Sequence, residues 1–79
     1  MHVRLVAFGI ARDILKGKYL DFNFQGKTIG ELKETLVTAY PDFSKLRSLS
    51  FAVSEEYRTD DFQLNEGNEV VVIPPVSGG

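Results

Sequence analysis

The run Val70-Val71-Val72-Ile73 lies near the end of a chain of 79 residues and is apolar at every position. Successive side chains of a β-strand point to opposite faces of the sheet, so a strand of this composition is apolar on both faces. Such strands are typical of the interior of a sheet rather than of its edge. The run therefore predicts a strand with neighbours on both sides.

The size of the chain and its lack of cysteine limit how such a sheet can be stabilised. The chain is 43% hydrophobic, contains no cysteine and has a single histidine. A domain of this length buries only roughly 60–65% of its unfolded surface, and here neither disulfides nor a cysteine or multi-histidine metal site can reinforce the core. We therefore predict one globular domain, residues 1–73, held by packing alone and followed by an extended tail, residues 74–79.

The first third of the chain predicts two strands separated by a short helix. Side chains alternate along residues 3–8. One face is apolar and consists of Val3, Leu5 and Ala7; the other is basic at one end and apolar at the other and consists of Arg4, Val6 and Phe8. Residues 10–16 have helical spacing, and Gly17 is expected to be the left-handed C-terminal cap. Residues 20–25 alternate apolar with polar side chains and predict a strand antiparallel to the first.

The clearest local signal is the start of a second helix. Thr28 and Glu31 have the spacing of a capping box, in which each side chain satisfies a backbone N–H of the first turn. Pro41 ends the helical pattern, because the residue before a proline is displaced from helical geometry. The apolar stripe of this helix, expected to pack on the sheet, comprises Ile29, Leu32, Leu36, Ala39 and Tyr40.

The remaining segments complete the predicted topology. Residues 49–54 predict a third strand, residues 57–62 a short fourth segment, and Glu66-Gly67-Asn68 a turn into the last strand. The resulting fold class is α+β, a roll in which a mixed sheet carries one main helix across one face. The first and last strands are expected to lie side by side and parallel in the centre, because their connection is long and contains the helix.

This topology predicts an apolar cluster on the sheet face that the helix leaves open. If Val70 and Val72 point inward, alternation turns Val71 and Ile73 outward. The predicted cluster consists of Val6, Phe8, Val71 and Ile73, with Ala52 as a small neighbour. An apolar patch on an open face of a small domain is typical of a docking surface. The alternative is that loops cover part of it.

The tail has a stiff part and a permissive part. Pro74 and Pro75 fix φ and favour polyproline geometry, so the chain is expected to leave the sheet as an extended rod. Gly78 and Gly79 lack Cβ atoms and can enter a narrow channel. We interpret the tail, Pro74 to Gly79 with Val76 and Ser77 between, as a segment inserted into a partner. The alternative is a frayed terminus, since termini are often small and flexible.

Charge and residue type disfavour several function classes. The net charge is −2 and the basic residues are scattered among the acidic ones, so no nucleic acid partner is expected. No run of about 18 apolar residues predicts a membrane span, and we expect a cytoplasmic protein without a membrane partner. A lone His2 lacks a catalytic partner, and Asp60-Asp61 and Glu55-Glu56 are interpreted as solvated loops rather than metal sites.

Four segments together resemble a known family. They are "AFGIARDI" near the start, "GKTIGELKETL" at the main helix, "EGNEVVVIPP" at the last turn and strand, and the ending "IPPVSGG". They are similar to the ubiquitin-like β-grasp sulfur carriers, and within these to the small subunits of molybdopterin synthase. The resemblance covers nearly the whole chain and implies a β-grasp fold.

The resemblance implies chemistry on the C-terminal carboxyl group. An ionised carboxylate is a poor electrophile, so it must be activated before sulfur can displace its oxygen. In the family, an E1-like adenylyltransferase uses ATP to form an acyl-adenylate on the last glycine, here Gly79. A sulfur donor then converts Gly79 to a thiocarboxylate, which supplies sulfur for the molybdopterin dithiolene. The chain itself is expected to bind no cofactor or metal and to act as a non-catalytic subunit.

The resemblance also implies partners and contact residues. The partners are the large subunit of molybdopterin synthase, in a heterotetramer of two small and two large subunits, the E1-like enzyme and the sulfur donor. The implied contacts are Phe8, Arg12, Tyr57, Val71 and Ile73. The alternative interpretation of Arg12 is an ordinary surface arginine, and that of Tyr57 is a half-buried tyrosine of the sheet. Alternative functions are sulfur transfer for thiazole synthesis or tRNA thiolation, and a ubiquitin-like modifier or plain interaction module.

Overall fold

A computed structural model of the chain describes residues 1–46 and 48–75. Its elements follow the predicted order, with one addition. They are β1 (His2–Ala7), α1 (Gly9–Leu15), β2 (Tyr19–Asn23), α2 (Ile29–Ala39), a 3-10 helix (Pro41–Lys45), β3 (Ser50–Val53), β4 (Glu56–Arg58) and β5 (Glu69–Ile73).

The strands form one mixed sheet in the order β2-β1-β5-β3-β4. β5 lies in the centre, parallel to β1 and antiparallel to β3, and β1 is antiparallel to β2. The predicted position of the all-apolar strand and the parallel pairing of the first and last strands are both confirmed. The central position explains why β5 is apolar on both faces. β5 has a neighbouring strand on each side, so on both faces its side chains are flanked by those of β1 and β3.

One face of the sheet, here called the inner face, packs against the helices and forms the main core. Leu5, Ala7, Val70 and Val72 on the central strands are fully buried, as is the stripe of α2 that faces them. The buried members of that stripe are Ile29, Leu32 and Leu36. The predicted α+β class, a ubiquitin-like β-grasp roll with one main helix across one face, is confirmed.

The capping box at the start of α2 is present in full. The Thr28 hydroxyl accepts a hydrogen bond from the Glu31 backbone N–H at 3.2 Å, and Glu31 Oε1 accepts one from the Thr28 N–H at 3.1 Å. The same carboxylate oxygen accepts from the backbone N–H of Lys27 at 2.9 Å. The bond from Lys27 and those from the Thr28 hydroxyl and backbone hold the pKa of Glu31 below its ordinary value of 4.5.

The loop after β4 satisfies two further N–H groups of the same helix end. Ile29 donates to the Phe62 carbonyl at 3.0 Å and Gly30 to the Asp60 carbonyl at 2.9 Å. A Cβ added at Gly30 would lie 3.1 Å from the Asp60 Cβ and 3.2 Å from its carbonyl oxygen. Glycine at this position therefore allows the loop to approach the helix closely, which local sequence patterns did not indicate.

Several boundaries differ from the sequence-based predictions. The left-handed residue after α1 is Lys16, at φ 62°, and not Gly17. Two contacts fix the ends of this turn: Leu15 is buried, and the Lys18 carbonyl accepts a hydrogen bond from the Ala7 N–H at 2.7 Å. Because only Lys16 and Gly17 lie between Leu15 and Lys18, the helix ends one residue earlier than predicted. The third strand ends at Val53, because Ser54 and the residue after it have positive φ and form the hairpin turn.

The end of α2 also departs from the prediction. Ala39 is exposed rather than part of the buried stripe, and Tyr40 is half-buried. Pro41 ends α2 as predicted but begins the 3-10 helix, which inserts Phe43 into the core. Proline is well suited to the first position of a helix, because its missing N–H would be unpaired there. The proline that ends α2 is therefore also compatible with the start of the 3-10 helix.

Among the described residues, no helix has the length and apolar composition needed to cross a membrane.

The capping box predicts a specific pH dependence of stability. Because the pKa of Glu31 is lowered in the folded protein, its stabilisation is fully present above the ordinary glutamate pKa and is lost as pH falls through the lower folded pKa. Glu31→Gln should lower the melting temperature at pH 7, and its difference from wild type should shrink toward zero as the pH falls through the lowered folded pKa of Glu31. Thermal unfolding followed by circular dichroism across this pH range measures both effects.

Glu34→Gln is the matched control. Glu34 is exposed on the same helix, and none of the hydrogen bonds within the described residues involves its side chain. Its substitution should leave the pH profile close to wild type. A Glu31→Gln profile parallel to wild type at all pH values would contradict the role assigned to the Glu31 carboxylate.

Candidate functional site

The second face of the sheet, here called the outer face, carries one row of residues that crosses all five strands. In the observed register, Val6 pairs with Tyr19 on one side and with Val71 on the other, Val71 pairs with Ala52, and Ala52 pairs with Tyr57. Residues paired in this way point to the same face. The row thus has an aliphatic centre and a tyrosine at each edge.

The centre of this row is a small apolar cluster separate from the main core. Val6 is 5% exposed and Ala52 is 9% exposed, yet neither belongs to the cluster of buried residues on the inner face. Val71, between them, is half-buried. The sequence-based assignment of these three residues to one face is confirmed, but Val6 and Ala52 are buried there and only Val71 is partly accessible.

Two larger apolar side chains extend the cluster toward the tail. Phe8 and Ile73 follow Ala7 and Val72, the last pair between β1 and β5, and Ile73 still pairs with Ser50 of β3. Phe8 keeps extended backbone angles, φ −131° and ψ 161°, so the alternation of β1 continues through it before α1 begins. Phe8 is 49% exposed and Ile73 is half-buried. These residues form an accessible apolar area beside the start of the tail.

The edge of the outer face along β1 and β2 carries a cluster of cations and aromatic rings that sequence analysis missed. Lys18 Nζ lies 5.3 Å from the ring centroid of Phe8 and 5.4 Å from that of Tyr19. The Arg4 guanidinium lies 5.9 Å from the Tyr19 ring. We call Arg4, Phe8, Lys18 and Tyr19 the basic rim. The sequence alternation of residues 18–20 indicated no such contact, because Lys18 precedes the strand and its side chain bends toward the outer face.

The structure places Arg12 and Tyr57, both implied as partner contacts, at accessible positions. Arg12 is exposed on α1, whose first turn donates N–H groups to the Phe8 carbonyl. Tyr57 is 73% exposed on the edge strand β4, so the alternative of a half-buried sheet tyrosine is wrong. Phe8, Val71, Ile73 and Tyr57 lie on the outer face.

The tail begins directly at the end of the central strand. Pro74 and Pro75 follow Ile73 and are half-buried. The residues to which the inserted part of the tail was assigned, Val76, Ser77, Gly78 and Gly79, lie outside the described residues. The assignment of Gly79 as the reactive residue therefore stays a prediction.

Titratable groups elsewhere form ordinary surface contacts. His2 Nδ1 lies 3.4 Å from Glu66 Oε2, and both side chains are 65% exposed. Asp61 accepts a hydrogen bond from the Thr59 hydroxyl, and Asp60 is exposed. Among residues 1–46 and 48–75, no group of three or more histidine, cysteine, aspartate or glutamate side chains could hold a metal ion. These contacts can stabilise loops but do not assemble a general acid, a base and a nucleophile.

Comparison with known proteins identifies relatives along nearly the whole chain. The model of the ThiS family matches residues 6–79. A Caenorhabditis briggsae protein named molybdopterin synthase sulfur carrier subunit is 33% identical over 81 residues, and the alignment covers 98% of this chain and 96% of that protein.

Solved structures show the same fold. The Haloferax volcanii protein HVO 2177 superimposes with a TM-score of 0.84 at 21% identity, covering 100% of this chain and 87% of that one. SAMP1 from Haloferax volcanii gives a TM-score of 0.79 at 20% identity, with both chains covered completely. At these identities the likeness establishes the fold alone.

The separation of the two sheet faces predicts different effects for neighbouring substitutions on β5. Val72→Asp places a carboxylate in the main core, where the side chain is fully buried, and should destabilise the fold by more than about 4 kcal/mol. Ile73→Asp places the same group on the outer face and should cost only about 1 kcal/mol, because Ile73 is half-buried. Chemical denaturation of both variants measures the two free energies of unfolding. Equal losses would contradict the assignment of the two faces.

Proposed function

The chain belongs to the ThiS family, and on that basis we propose that it is the sulfur carrier subunit of a molybdopterin synthase. The observation that carries this proposal is the alignment with a protein of that name over 98% of this chain. Two structural features support the proposal: the apolar outer face, and the position of Pro74 and Pro75 directly after the central strand. A carrier needs a surface for its partners and a tail that extends away from that surface.

In the proposed first stage, Gly79 becomes activated. Its carboxylate oxygen attacks the α-phosphorus of ATP bound by an E1-like adenylyltransferase, which forms an acyl-adenylate and releases pyrophosphate. A sulfur donor at the oxidation level of hydrosulfide then attacks the acyl carbon. The acyl–oxygen bond breaks, AMP leaves, and Gly79 carries a thiocarboxylate. No oxidant or reductant is needed, since sulfur enters and leaves as a nucleophile.

In the second stage, the tail delivers sulfur inside the large subunit of the synthase. The thiocarboxylate sulfur attacks an electrophilic carbon of the pyranopterin precursor. A carbon–sulfur bond forms, a carbon–oxygen bond at that carbon breaks, and the oxygen leaves with its electron pair as water or as a phosphate oxygen. Water then hydrolyses the acyl–sulfur bond, which regenerates the Gly79 carboxylate and leaves the sulfur on the product. Two such deliveries supply the two sulfur atoms of the dithiolene. Two adjacent glycines suit this route, since the absence of Cβ atoms lets the tail pass through a narrow channel.

The outer face is the proposed docking surface for the large subunit. Val71 lies at its centre, with Phe8 and Ile73 beside the tail and Tyr57 at the opposite edge. Buried aromatic and aliphatic side chains near the centre of an interface contribute most of its binding energy. Arg12, exposed on α1 near Phe8, is a proposed contact at the periphery. A heterotetramer of two small and two large subunits is the proposed assembly.

A ubiquitin-like modifier has the same fold but a different product. The likeness to SAMP1 is 20% in sequence identity, so it does not favour conjugation over sulfur transfer. The two functions leave different covalent states: a modifier forms an isopeptide bond with a lysine, and a carrier forms a thiocarboxylate. Intact mass measured on protein purified from cells distinguishes these states.

The chemistry of the tail predicts that Gly79 must be the last residue. An added residue moves the reactive carbon beyond the nucleotide site of the adenylating enzyme, and deletion of Gly79 leaves it short by about 3.5 Å. A misplacement of about 1 Å can reduce a rate about a hundredfold. After incubation with the adenylating enzyme, ATP and a sulfur source, only the chain ending at Gly79 should gain the mass difference of one oxygen exchanged for one sulfur.

Both altered chains should remain folded and should bind the large subunit with unchanged affinity, because the outer face is intact. Thermal unfolding and calorimetry provide these controls. An extended chain that is fully active, and that mass spectrometry shows to be untrimmed, would contradict the carrier mechanism and favour a modifier or a plain interaction module.

The docking face predicts a loss of affinity without loss of the fold. Ile73→Asp should weaken binding to the large subunit by about 2 kcal/mol or more, because a charge replaces an apolar contact of the docking surface next to the start of the tail. Isothermal titration calorimetry measures the change, and Glu34→Gln on the exposed side of α2 is the control. Unchanged affinity of a folded Ile73→Asp variant would show that the large subunit binds elsewhere.

A further inference from the structure

The N-terminal end of this acidic chain has a net positive charge. Residues 1–18 contain four of the nine basic residues and one of the eleven acidic residues, for a net charge of +3, whereas residues 19–79 have a net charge of −5. The cations of the first segment are Arg4, Arg12, Lys16 and Lys18. They lie on β1, on α1 and in the turn before β2. Cations therefore outnumber carboxylates in this segment, although Arg4 is flanked in the sheet by Asp21 and Glu69.

Lys18 occupies a defined position within this edge. Its ammonium group lies 5.3 Å from the Phe8 ring and 5.4 Å from the Tyr19 ring, and these rings are 49% and 58% exposed. Cations are attracted to aromatic faces at such distances by the ring quadrupole. The two rings therefore restrict a side chain that would otherwise sample many rotamers. Less conformational entropy of Lys18 is then lost when a partner binds.

The same ammonium group has unused capacity for hydrogen bonds. An ammonium has three N–H donors, and a contact with a ring face does not replace a carboxylate acceptor. Lys18 forms no ion pair with any carboxylate in residues 1–46 and 48–75, whereas the neighbouring Arg4 lies 3.6 Å from Asp21. Lys18 is thus a positioned cation whose donors face solvent at the edge of an apolar docking surface.

We infer that Lys18, held between Phe8 and Tyr19, receives a carboxylate from an acidic segment of the large subunit that covers the outer face. This inference rests on the proposed function, because it names a contact made by that partner. Charge complementarity favours an acidic protein segment. The Lys18 ammonium has no carboxylate partner among the described residues, and the two rings beside it offer apolar contacts to the flanking side chains of that segment.

The position of Lys18 gives this contact a role in orienting the tail. Lys18 contacts Phe8, which follows the end of β1, and the parallel β5 ends beside it at Ile73 and continues into Pro74. A charged contact at this edge fixes the register of the partner next to the residue where the tail begins. Charges at the periphery of an interface mainly accelerate association and select orientation, rather than contribute large affinity.

The test measures association kinetics with the purified large subunit. Lys18→Gln should lower the association rate constant about 3- to 10-fold at low ionic strength, and the difference from wild type should shrink as salt screens the charge. Lys18→Glu should lower it further. Lys45→Gln is the matched control, because Lys45 lies on the 3-10 helix and pairs with Asp42 at 3.3 Å. Its rate constant should match that of wild type.

A double-mutant cycle tests the role of the ring. Tyr19→Phe keeps the aromatic face and should leave the rate constant unchanged, whereas Tyr19→Leu should lower it. Because Tyr19 acts by positioning the ammonium, Tyr19→Leu should have little further effect in a Lys18→Gln background. Additive effects would show that the ring contacts the partner independently and would contradict the positioning role.

The outcomes separate this inference from the proposed function. Wild-type protein that fails to bind the large subunit would overturn both. Normal binding with the same rate constant and salt dependence for wild type, Lys18→Gln and Lys18→Glu would overturn only the role of Lys18. Saturable binding of inorganic phosphate to the isolated chain, lost in Lys18→Gln, would assign the cation to a small anion and would also overturn the inference.

Discussion

The parallel pairing of β1 with β5 joins the two ends of the chain, with Arg4 opposite Glu69 and Ala7 opposite Val72. A parallel pair needs a crossover connection, and here that connection contains α2, whose apolar stripe covers the inner face. The pairing thus creates the main core. It also makes β5 the centre of the sheet, so the tail leaves from the middle of the fold rather than from an edge. Both the core and the position of the tail depend on this one contact between strands.

The two faces of β5 have different physical roles. Val70 and Val72 are fully buried against the helices, whereas Val71 and Ile73 face outward and are half-buried. The inner residues stabilise a small domain that has no cysteine to supplement packing. The outer residues leave apolar surface available, which favours association with another protein. Because alternation along one strand supplies both sets, the proposed binding surface is carried by the central strand of the sheet.

In the proposed function, the outer face binds the partner and the chemistry takes place at the far end of the tail. The apolar centre supplies contact area, and the basic rim supplies a directional charge near the residues where the tail begins. A carrier whose reactive group lies at the end of a tail must be placed by contacts far from that group. Pro74 and Pro75 have a fixed φ and so restrict the direction in which the chain leaves β5.

The sequence by itself determined the features that depend on local chemistry or on simple periodicity. The Thr28–Glu31 capping box, the central position of β5 and the outward direction of Val71 were all predictable, because they follow from side-chain spacing. Only the tertiary structure decided features produced by segments far apart in the chain. Gly30 contacts Asp60, and Lys18 bends between Phe8 and Tyr19; neither contact has a periodic signal. The cap after α1 moved from Gly17 to Lys16, because pairing between β1 and β2 limited the length of the turn. Local patterns specify which way a side chain points, and packing between distant segments specifies what it meets.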